Sequence, residues 1–413
     1  MTHHARPHRC FLVLALGLAL VLLLSACADK APPPPAVATA PVPQPPQPPQ
    51  PADPQNWLRP GLFYATSRNV LDPGSPTRNA SYGGQRSRET SYGECRLTLG
   101  GSGAGATDRM DVRVGLERVS RTTRTSFLAD LERAAARTPR REVLLFIHGF
   151  DNSFEDAAKT ATRVAHGVGF AGASVLYSWP SVGSAASYLH DRNNAYWAVH
   201  YLKVFLRDVL AAQWIDRVNV VVHSMGNEVF IRAYAELADE CERAGSGDLR
   251  KLKNIVLAAP DVDREIFLDQ HAAKLMVQGA RIVLYTSRSD IALSASSLVQ
   301  GGDYERLGKN VACIPGLHVT DVSDVKTDLL GHSWIADSRS VLTDLRCVLT
   351  EGCNRYAGKL LQEYVCPAAA RFSLPVPASQ DHPPSGQTFW RLNVTDTSAK
   401  PTLGGYTLNL PSW

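Results

Sequence analysis

Short apolar runs alternate with amphipathic stretches from about residue 143 onward. Apolar residues in unbroken runs predict strands that are buried on both faces, and apolar residues three and four positions apart predict helices. The predicted strands are Val143–Ile147, Ala173–Trp179, Val218–Val222, Asn254–Ala259, Arg281–Thr286 and Leu317–Val322. The predicted helices cover residues 153–168, 193–212, 225–243, 264–277 and 333–349. This alternation predicts an α/β fold, with a mostly parallel central sheet covered by helices on both faces.

The flanking segments carry weaker patterns. Before residue 143 we predict edge strands and one helix, at Leu62–Thr66, Arg96–Leu99, Asp111–Val119 and residues 125–137. In the Pro-rich tail after Cys366, Trp390–Val394 and Tyr406–Leu410 could pair as a hairpin. We therefore divide the chain into a signal peptide, a linker, an α/β domain and a C-terminal extension without a predicted role, at residues 1–26, 27–55, 56–350 and 351–413.

The first 26 residues predict a lipoprotein signal peptide. Arg6 and Arg9 precede Phe11–Leu24, an apolar stretch too short for a membrane-spanning helix of about 20 residues. Leu24-Ser25-Ala26-Cys27 follows and resembles the lipobox of bacterial lipoproteins, in which the cysteine is acylated. An uncleaved anchor and an ordinary signal peptide are the alternatives. We expect a lipid anchor at Cys27. The Ala28-Asp29 pair resembles the sorting pattern for the outer membrane of the cell envelope, facing the periplasm.

Composition indicates which partners and cofactors to expect. Residues 30–54 consist mainly of Pro, Ala and Gln, which favours a polyproline II spacer over a partner-binding motif. The formal charge of +4, from 43 Lys and Arg against 39 Asp and Glu, argues against a nucleic-acid partner. Export permits disulfides, and the closely spaced Cys347, Cys353 and Cys366 predict a bridge among themselves. No Cys or His spacing indicates a metal site, and we expect neither a metal nor a cofactor.

The strongest chemical signal follows the strand Val218–Val222. His223-Ser224-Met225-Gly226 comes next, and a predicted helix begins at once. A strand, a sharp turn carrying serine and a helix are the context of a nucleophile elbow, although Val222 stands where such turns usually have glycine. The N–H of Met225 at the helix N-terminus is then suited to stabilise an oxyanion. The alternative is that Ser224 only caps the helix.

A serine nucleophile needs a histidine to take its proton and an acid to orient that histidine. After an elbow of this kind the chain order is serine, acid, histidine. Asp290 follows the strand Arg281–Thr286, and His332 lies in a loop after Leu317–Val322. Both therefore lie beyond the carboxyl ends of strands, where open α/β sheets place their sites. We predict the catalytic triad Ser224, Asp290 and His332.

Other residues compete for these roles. Asp261 or Asp263 could be the acid, or could cap the next helix. His318, His271 and His382 are weaker candidates for the base, because they lie in a strand, a helix and the tail. The loop after Val143–Ile147 contains His148-Gly149-Phe150. We predict that it supplies the second oxyanion N–H from Phe150, with Asp151 as the alternative, and that His148 holds the loop.

Seven segments together resemble a bacterial α/β-hydrolase family of esterase/lipase-like proteins of largely unknown function. They are residues 63–68 (FYATSR), 146–154 (FIHGFDNSF), 177–181 (YSWPS), 222–227 (VHSMGN), 259–263 (APDVD), 285–290 (YTSRSD) and 331–333 (GHS). The resemblance spans roughly residues 60–350 and departs from the family at Val222, where Ala or Gly is usual. It implies an α/β-hydrolase fold and a Ser-Asp-His hydrolase.

The predicted function is a serine hydrolase tethered to the cell envelope, with an ester or acylated small-molecule or lipid substrate. Trp179 and Tyr188 follow a strand at the same edge and could line the substrate cleft, or could simply pack. One rival is a non-catalytic envelope binding or assembly module on the same fold. Another is amide or thioester cleavage at the same site, which the sequence does not separate from ester cleavage. The oligomeric state is not predicted.

Overall fold

The computed structural model describes residues 58–72, 80–101, 108–276, 279–325, 328, 330–372, 388–394, 402–403 and 406–407. The predicted signal peptide and Pro-rich linker, residues 1–26 and 27–55, lie outside these ranges. Within them, the structure contains no helix of sufficient length and apolar character to cross a bilayer.

Among the described residues, eleven strands form one large sheet and three more form a small one. In chain order the strands are β1 (Gly61–Val70), β2 (Tyr82–Gly100), β3 (Arg113–Thr122), β4 (Glu142–Ile147), β5 (Ala173–Ser178), β6 (Arg217–His223), β7 (Leu252–Ala258), β8 (Arg281–Thr286), β9 (Leu317–Asp321), β10 (Cys353–Asn354), β11 (Leu361–Val365), β12 (Thr388–Leu392), β13 (Thr402–Leu403) and β14 (Tyr406–Thr407). The order across the large sheet is β11-β12-β9-β8-β7-β6-β4-β5-β1-β2-β3, and β10, β13 and β14 pair separately. Every neighbouring pair from β12 to β1 is parallel, and the outer pairs are antiparallel.

Helices cover both faces of this sheet. They are α1 (Arg124–Ala135), α2 (Phe154–Gly167), α3 (Tyr188–Ala211), α4 (Gly226–Ala244), α5 (Arg264–Ile266), α6 (Ala272–Met276), α7 (Ile291–Val299), α8 (Trp334–Asp337) and α9 (Arg339–Leu349), with a π-helical segment, Phe267–His271, between α5 and α6. One buried apolar cluster joins the sheet to α1, α3 and α4. A second joins the opposite face to α2, α8 and α9. The predicted α/β-hydrolase architecture is confirmed.

The central strands are buried because their side chains are apolar on both faces. In β6, Val220, Val221 and Val222 are fully buried, and alternate residues belong to the two apolar clusters. Helix α2 begins at a capping box, in which the Ser153 hydroxyl accepts from the Asp156 N–H and the Asp156 carboxylate accepts from Ser153. Strand β6 lies at the centre of the sheet. The residues after its last position therefore lie at the carboxyl edge.

The predicted C-terminal hairpin is wrong. Strand β12 pairs with β11 on one side and β9 on the other, and β14, Tyr406–Thr407, pairs with β13. The chain after residue 350 thus adds two strands to the sheet edge. Helix α7 and strand β11 were not predicted, and α3 begins at Tyr188, five residues before the predicted start.

Two disulfides hold the C-terminal part of the chain. Cys347 pairs with Cys353, which confirms a bridge within the predicted cysteine cluster. Cys366 pairs with Cys313, in the loop before β9, and so ties the added strands to the rest of the sheet. Cys95 and Cys241 are buried thiols.

Candidate active site

Ser224 occupies a strained turn between β6 and α4. Its φ is +51°, a left-handed value that is uncommon for a residue with a side chain. Its N–H donates to Ala258 O, and its carbonyl accepts from the Asn227 side chain at 2.9 Å. These bonds fix the serine above the carboxyl edge of the sheet. Backbone strain held in place by its surroundings is typical of functional sites.

Two glycines make this turn possible. A Cβ at Gly226 would lie 2.3 Å from His148 O, and a Cβ at Gly149 would lie 2.6 Å from Ser224 Cβ. The backbones of the two loops therefore approach each other more closely than side chains allow. The alternative that Ser224 only caps the helix is wrong. The N-cap of α4 is Met225, and no side chain caps that helix.

Asp290 and His332 are in direct contact. The His332 Nδ1 and Asp290 Oδ2 atoms are 2.6 Å apart, with the carboxylate fully buried and the ring 17% exposed. The other oxygen, Asp290 Oδ1, accepts from Leu293 N at 2.9 Å and caps α7. With both oxygens hydrogen-bonded, the carboxylate is fixed to accept a hydrogen bond from Nδ1–H of the imidazole, and in that tautomer Nε2 can accept a proton.

The electrostatic surroundings of His332 favour its charged form. Burial of the ring opposes protonation, but the carboxylates of Asp290, Asp261 and Asp328 outweigh it, so the pKa of His332 is raised above its ordinary value. Asp328 also accepts from the N–H groups of His332 and Ser333. This carboxylate had no role in the sequence prediction, and its proximity comes only from the folded loop.

His223 links Ser224 to His332. It precedes the serine, and its Nε2 lies 3.0 Å from His332 O, so the ring donates to that carbonyl. The rings of His223 and His332 are 4.7 Å apart at their centroids. Burial and the neighbouring His332 lower the pKa of His223 to about 3, and the ring is neutral at physiological pH. Ser224 Oγ makes no hydrogen bond to another described residue, so the structure connects the serine to the Asp290–His332 pair through His223.

The predicted oxyanion groups lie on two adjoining turns. Met225 follows the serine at the start of α4, and Phe150 lies in the loop after β4, whose Gly149 contacts Ser224. Neither the Phe150 nor the Met225 N–H donates to another described residue. Both donors are therefore available to a ligand. Asp151, the alternative, has a φ of +57° in the same loop.

A buried arginine holds the Phe150 loop. Arg68 is 1% exposed and donates to Asn152 O at 2.7 Å, Ser181 O at 2.6 Å and Ser178 Oγ at 2.8 Å. Burial lowers the pKa of its guanidinium to about 9. The resembling segment 63–68 includes this residue, but only the structure shows that it joins the loops after β4 and β5.

His148 supports the same loop, as predicted. It is fully buried, its Nδ1 lies 2.8 Å from Gly149 O, and its ring stacks on Trp179 at 5.1 Å. Burial and the nearby Arg68 lower the pKa of His148 well below its ordinary value, so the ring is neutral. Trp179 is itself fully buried and donates to His148 O. The structure thus places Trp179 behind the loop as a packed residue, and it does not line an open cleft.

Tyr188, the first residue of α3, packs against this loop. Its ring packs edge-on against Phe150 at 5.3 Å, and its hydroxyl donates to Asp261 Oδ2 at 2.8 Å. Burial and the Asp261 carboxylate raise the pKa of Tyr188, so the phenol stays neutral and can donate. Tyr188 therefore connects the Phe150 loop to the turn after β7.

The competing acids have other partners. Asp263 caps α5 by accepting from Glu265 N and Ile266 N. Asp261 accepts from Tyr188 and Ser296 and forms an ion pair with Arg306. Neither binds a histidine directly, although the Asp261 charge acts on His332. The acid role is thus best fitted by Asp290.

The other histidines do not approach Ser224 or Asp290 by any described contact. His318 Nδ1 lies 2.6 Å from the Tyr356 hydroxyl, and buried His271 lies in the π-helical segment without a hydrogen-bond partner among the described residues. His382 lies outside the described residues. In the described part of the chain, no group of three or more His, Cys, Asp or Glu side chains could hold a metal ion.

The sheet order and the strained serine turn define the class of protein as an α/β hydrolase. Residues 123–349, more than half of the chain, match the family model "Alpha/beta hydrolase of unknown function (DUF900)", and the chain belongs to this family.

Two solved structures are similar to the chain at low identity. A gene lin2722 product from Listeria innocua is 11% identical with a TM-score of 0.30, over 50% of this chain and 93% of that one. An esterase from the fungus Rhizomucor miehei is 12% identical with a TM-score of 0.25, over 58% of this chain and 72% of that one. No curated protein matches the chain.

Proposed function

We propose that the protein is a serine hydrolase that cleaves carboxylic esters through Ser224, His332 and Asp290. The observation that carries the proposal is the 2.6 Å contact between His332 and the Asp290 carboxylate, both of whose oxygens are hydrogen-bonded. Ser224 lies nearby in a left-handed turn, directly after His223, which contacts His332. An acid of this kind fixes the tautomer in which Nε2 accepts a proton. A serine presented on such a turn is the arrangement that acyl transfer requires.

The proposed reaction proceeds through an acyl-enzyme. Ser224 Oγ attacks the ester carbonyl as its proton passes to His332 Nε2, and the N–H groups of Met225 and Phe150 stabilise the oxyanion. Collapse breaks the bond to the alcohol, which leaves with the proton from Nε2. Water then attacks the acyl group and gives a proton to His332 Nε2. Collapse of the second intermediate releases the acid as Nε2 returns that proton to Ser224 Oγ. Neither a metal nor an organic cofactor takes part in these steps.

A fluorophosphonate probe tests this assignment. We expect the full-length protein to be labelled on Ser224, with the modified peptide identified by mass spectrometry. Ser224→Ala should abolish labelling and lower turnover of 4-nitrophenyl butyrate by roughly 10⁴–10⁶-fold, with unchanged thermal unfolding. Labelling of a different serine would overturn the assignment. No labelling and no turnover would favour the non-catalytic envelope module.

We further propose that this hydrolase is attached to the outer membrane by acyl chains on Cys27 and faces the periplasm. The support is the Leu24-Ser25-Ala26-Cys27 sequence after an apolar stretch, followed by Ala28-Asp29. Several acyl chains together hold a protein on a bilayer, whereas one does not. The Pro-rich residues 30–54 would then separate the catalytic domain from the lipid surface.

A further inference from the structure

Arg306 lies in the loop between α7 and β9, which folds over the catalytic edge. Leu307 N donates to Val262 O at 2.9 Å and Gly308 N donates to Pro260 O at 3.0 Å, while Ser287 N donates to Gly308 O at 2.9 Å. The loop is therefore bonded to the turns after both β7 and β8. Those turns carry Asp261 and Asp290, so Arg306 is held at the same edge as the proposed triad.

The guanidinium of Arg306 is buried and poorly satisfied. The residue is 4% exposed, and its Nε lies 3.6 Å from Asp261 Oδ1, too far for a hydrogen bond. That Nε is enclosed without an acceptor. A guanidinium offers five N–H donors, yet the Arg306 side chain donates no hydrogen bond within the described part of the chain. The Asp261 carboxylate balances the charge, but a buried N–H without an acceptor is costly, so an anion that accepts from this guanidinium would remove that cost.

Asp261 lies beside this guanidinium as an ion-pair partner, and each of its oxygens also accepts a hydrogen bond from a hydroxyl group. Oδ2 accepts from the Tyr188 hydroxyl and Oδ1 accepts from the Ser296 hydroxyl. Asp261 also lies next to the elbow, where its N–H donates to Ser224 O at 3.3 Å. Tyr188 in turn contacts Phe150. Arg306 is thus two contacts from the main chain of Ser224, through Asp261, and three from Phe150, through Asp261 and Tyr188.

We propose that Arg306 is an anion-binding residue of the substrate cleft, and that the preferred substrates are esters carrying a carboxylate or phosphate group close to the scissile bond. The planar fork matches the oxygens of either anion, which can accept two parallel hydrogen bonds. This proposal rests on the proposed hydrolase activity. It adds a substrate class to that activity: an anionic ester is favoured over its neutral analogue.

Matched ester pairs test the preference on the full-length protein. In the first pair, mono-4-nitrophenyl adipate carries a carboxylate on the acyl chain and 4-nitrophenyl hexanoate does not. In the second, 4-carboxyphenyl hexanoate carries the charge on the leaving group and 4-carbamoylphenyl hexanoate is neutral. We expect the wild type to have the higher kcat/KM for the anionic member of one pair. Arg306→Gln should lower that value by roughly 10- to 100-fold and leave the neutral ester unchanged.

Three comparisons separate loss of recognition from loss of folding. Arg306→Lys retains the charge without the fork and should give an intermediate preference. Arg288→Gln removes an exposed arginine from the same edge. It should leave kcat/KM unchanged for both the anionic and the neutral ester. The rate of fluorophosphonate labelling should be the same in Arg306→Gln as in the wild type.

Binding without turnover distinguishes failure of this proposal from failure of the hydrolase proposal. In Ser224→Ala, adipate should raise the unfolding temperature and the uncharged hexanamide should not, and the effect should disappear in Ser224→Ala with Arg306→Gln. Equal losses on neutral and anionic esters in Arg306→Gln, or no preference in the wild type, would overturn the anion-binding role even if Ser224 is catalytic. Adipate binding that depends on Arg306 would support it even if no ester is cleaved.

Discussion

The carboxylate of Asp290 has two structural tasks. One oxygen caps α7 through Leu293 N, and the other holds the imidazole of His332. Since the two bonds oppose any rotation of the carboxylate, the histidine is oriented before substrate arrives. A fixed acid and a fixed tautomer are the features that distinguish Asp290 from Asp261 and Asp263.

Replacement of Asp290 by asparagine should separate these tasks. The amide oxygen can still cap α7, but the NH₂ group would face His332 Nδ1 and favour the tautomer that cannot accept the serine proton. We expect kcat for 4-nitrophenyl butyrate to fall by roughly 10⁴-fold. Asp263→Asn, which alters only the cap of α5, should keep its activity. The reverse ranking would move the acid to the turn after β7.

The pH dependence of activity should report the charges around His332. The ring acts as a base only when neutral, and nearby carboxylates raise its pKa, so kcat/KM should rise with pH through an apparent pKa above the ordinary value of about 6.5. Asp328→Asn removes one of these charges and should move the rise to lower pH. A rise that stays in place, or moves upward, in this variant would contradict the electrostatic account.

At the scale of elements, the turn between β6 and α4 depends on close contact with the loop after β4. Gly226 lies against His148 O and Gly149 lies against Ser224 Cβ. Val222, the departure from the family pattern, is fully buried in β6, and the left-handed turn forms two residues later. The larger residue at this position is therefore compatible with the turn.

A methyl group at Gly226 should disturb this contact. Gly226→Ala would place Cβ 2.3 Å from a backbone oxygen that has little freedom to move. We expect a lower unfolding temperature and at least a tenfold slower fluorophosphonate labelling, because a displacement near 1 Å in a catalytic group can cost about 10²-fold. Gly245→Ala is the control. Its φ is +63° but its Cβ would meet open space, so it should lose about 1–2 kcal/mol of stability with an unchanged labelling rate.

The sequence predicted the central strands well because their burial on both faces leaves unbroken apolar runs. It also predicted that Asp290 and His332 lie at one edge, where the structure has them in contact, because carboxyl ends of parallel strands meet there. The sequence-based prediction failed where strand pairing depends on residues far away in the chain. Strand β11 has two adjacent polar residues, Gln362 and Glu363, and only Leu361 is buried. Nothing local indicates that β12 pairs with β9. Arg68, His223 and Arg306 were missed because their partners come from other loops.

At the scale of the whole molecule, the C-terminal chain completes the sheet. Strand β12 lies between β9 and β11, and the disulfide between Cys313 and Cys366 joins this edge to the loop before β9. Disulfides persist in oxidising compartments, which agrees with the proposed export of the protein.

The proposed lipid anchor can be tested by palmitate labelling and by changes near the N-terminus. Metabolic palmitate labelling should mark the wild type, and Cys27→Ser should abolish the label and leave an uncleaved precursor held by its signal segment. A chain shortened to begin at Asp53 should be soluble and still hydrolyse 4-nitrophenyl butyrate. An unlabelled wild type, or a soluble periplasmic form of it, would contradict the lipoprotein proposal without affecting the triad.

The order of the cysteines has a consequence for biogenesis. The Cys347–Cys353 pair lies inside the loop closed by Cys313 and Cys366. An exported chain presents its thiols in sequence, so pairing in order of arrival would join Cys313 to Cys347 and leave Cys353 with Cys366. Correct pairing requires Cys313 to remain reduced until the last cysteine has crossed the membrane, or a wrong bridge to be exchanged. Production of the native protein should therefore depend on a thiol–disulfide isomerase, and not only on an oxidant.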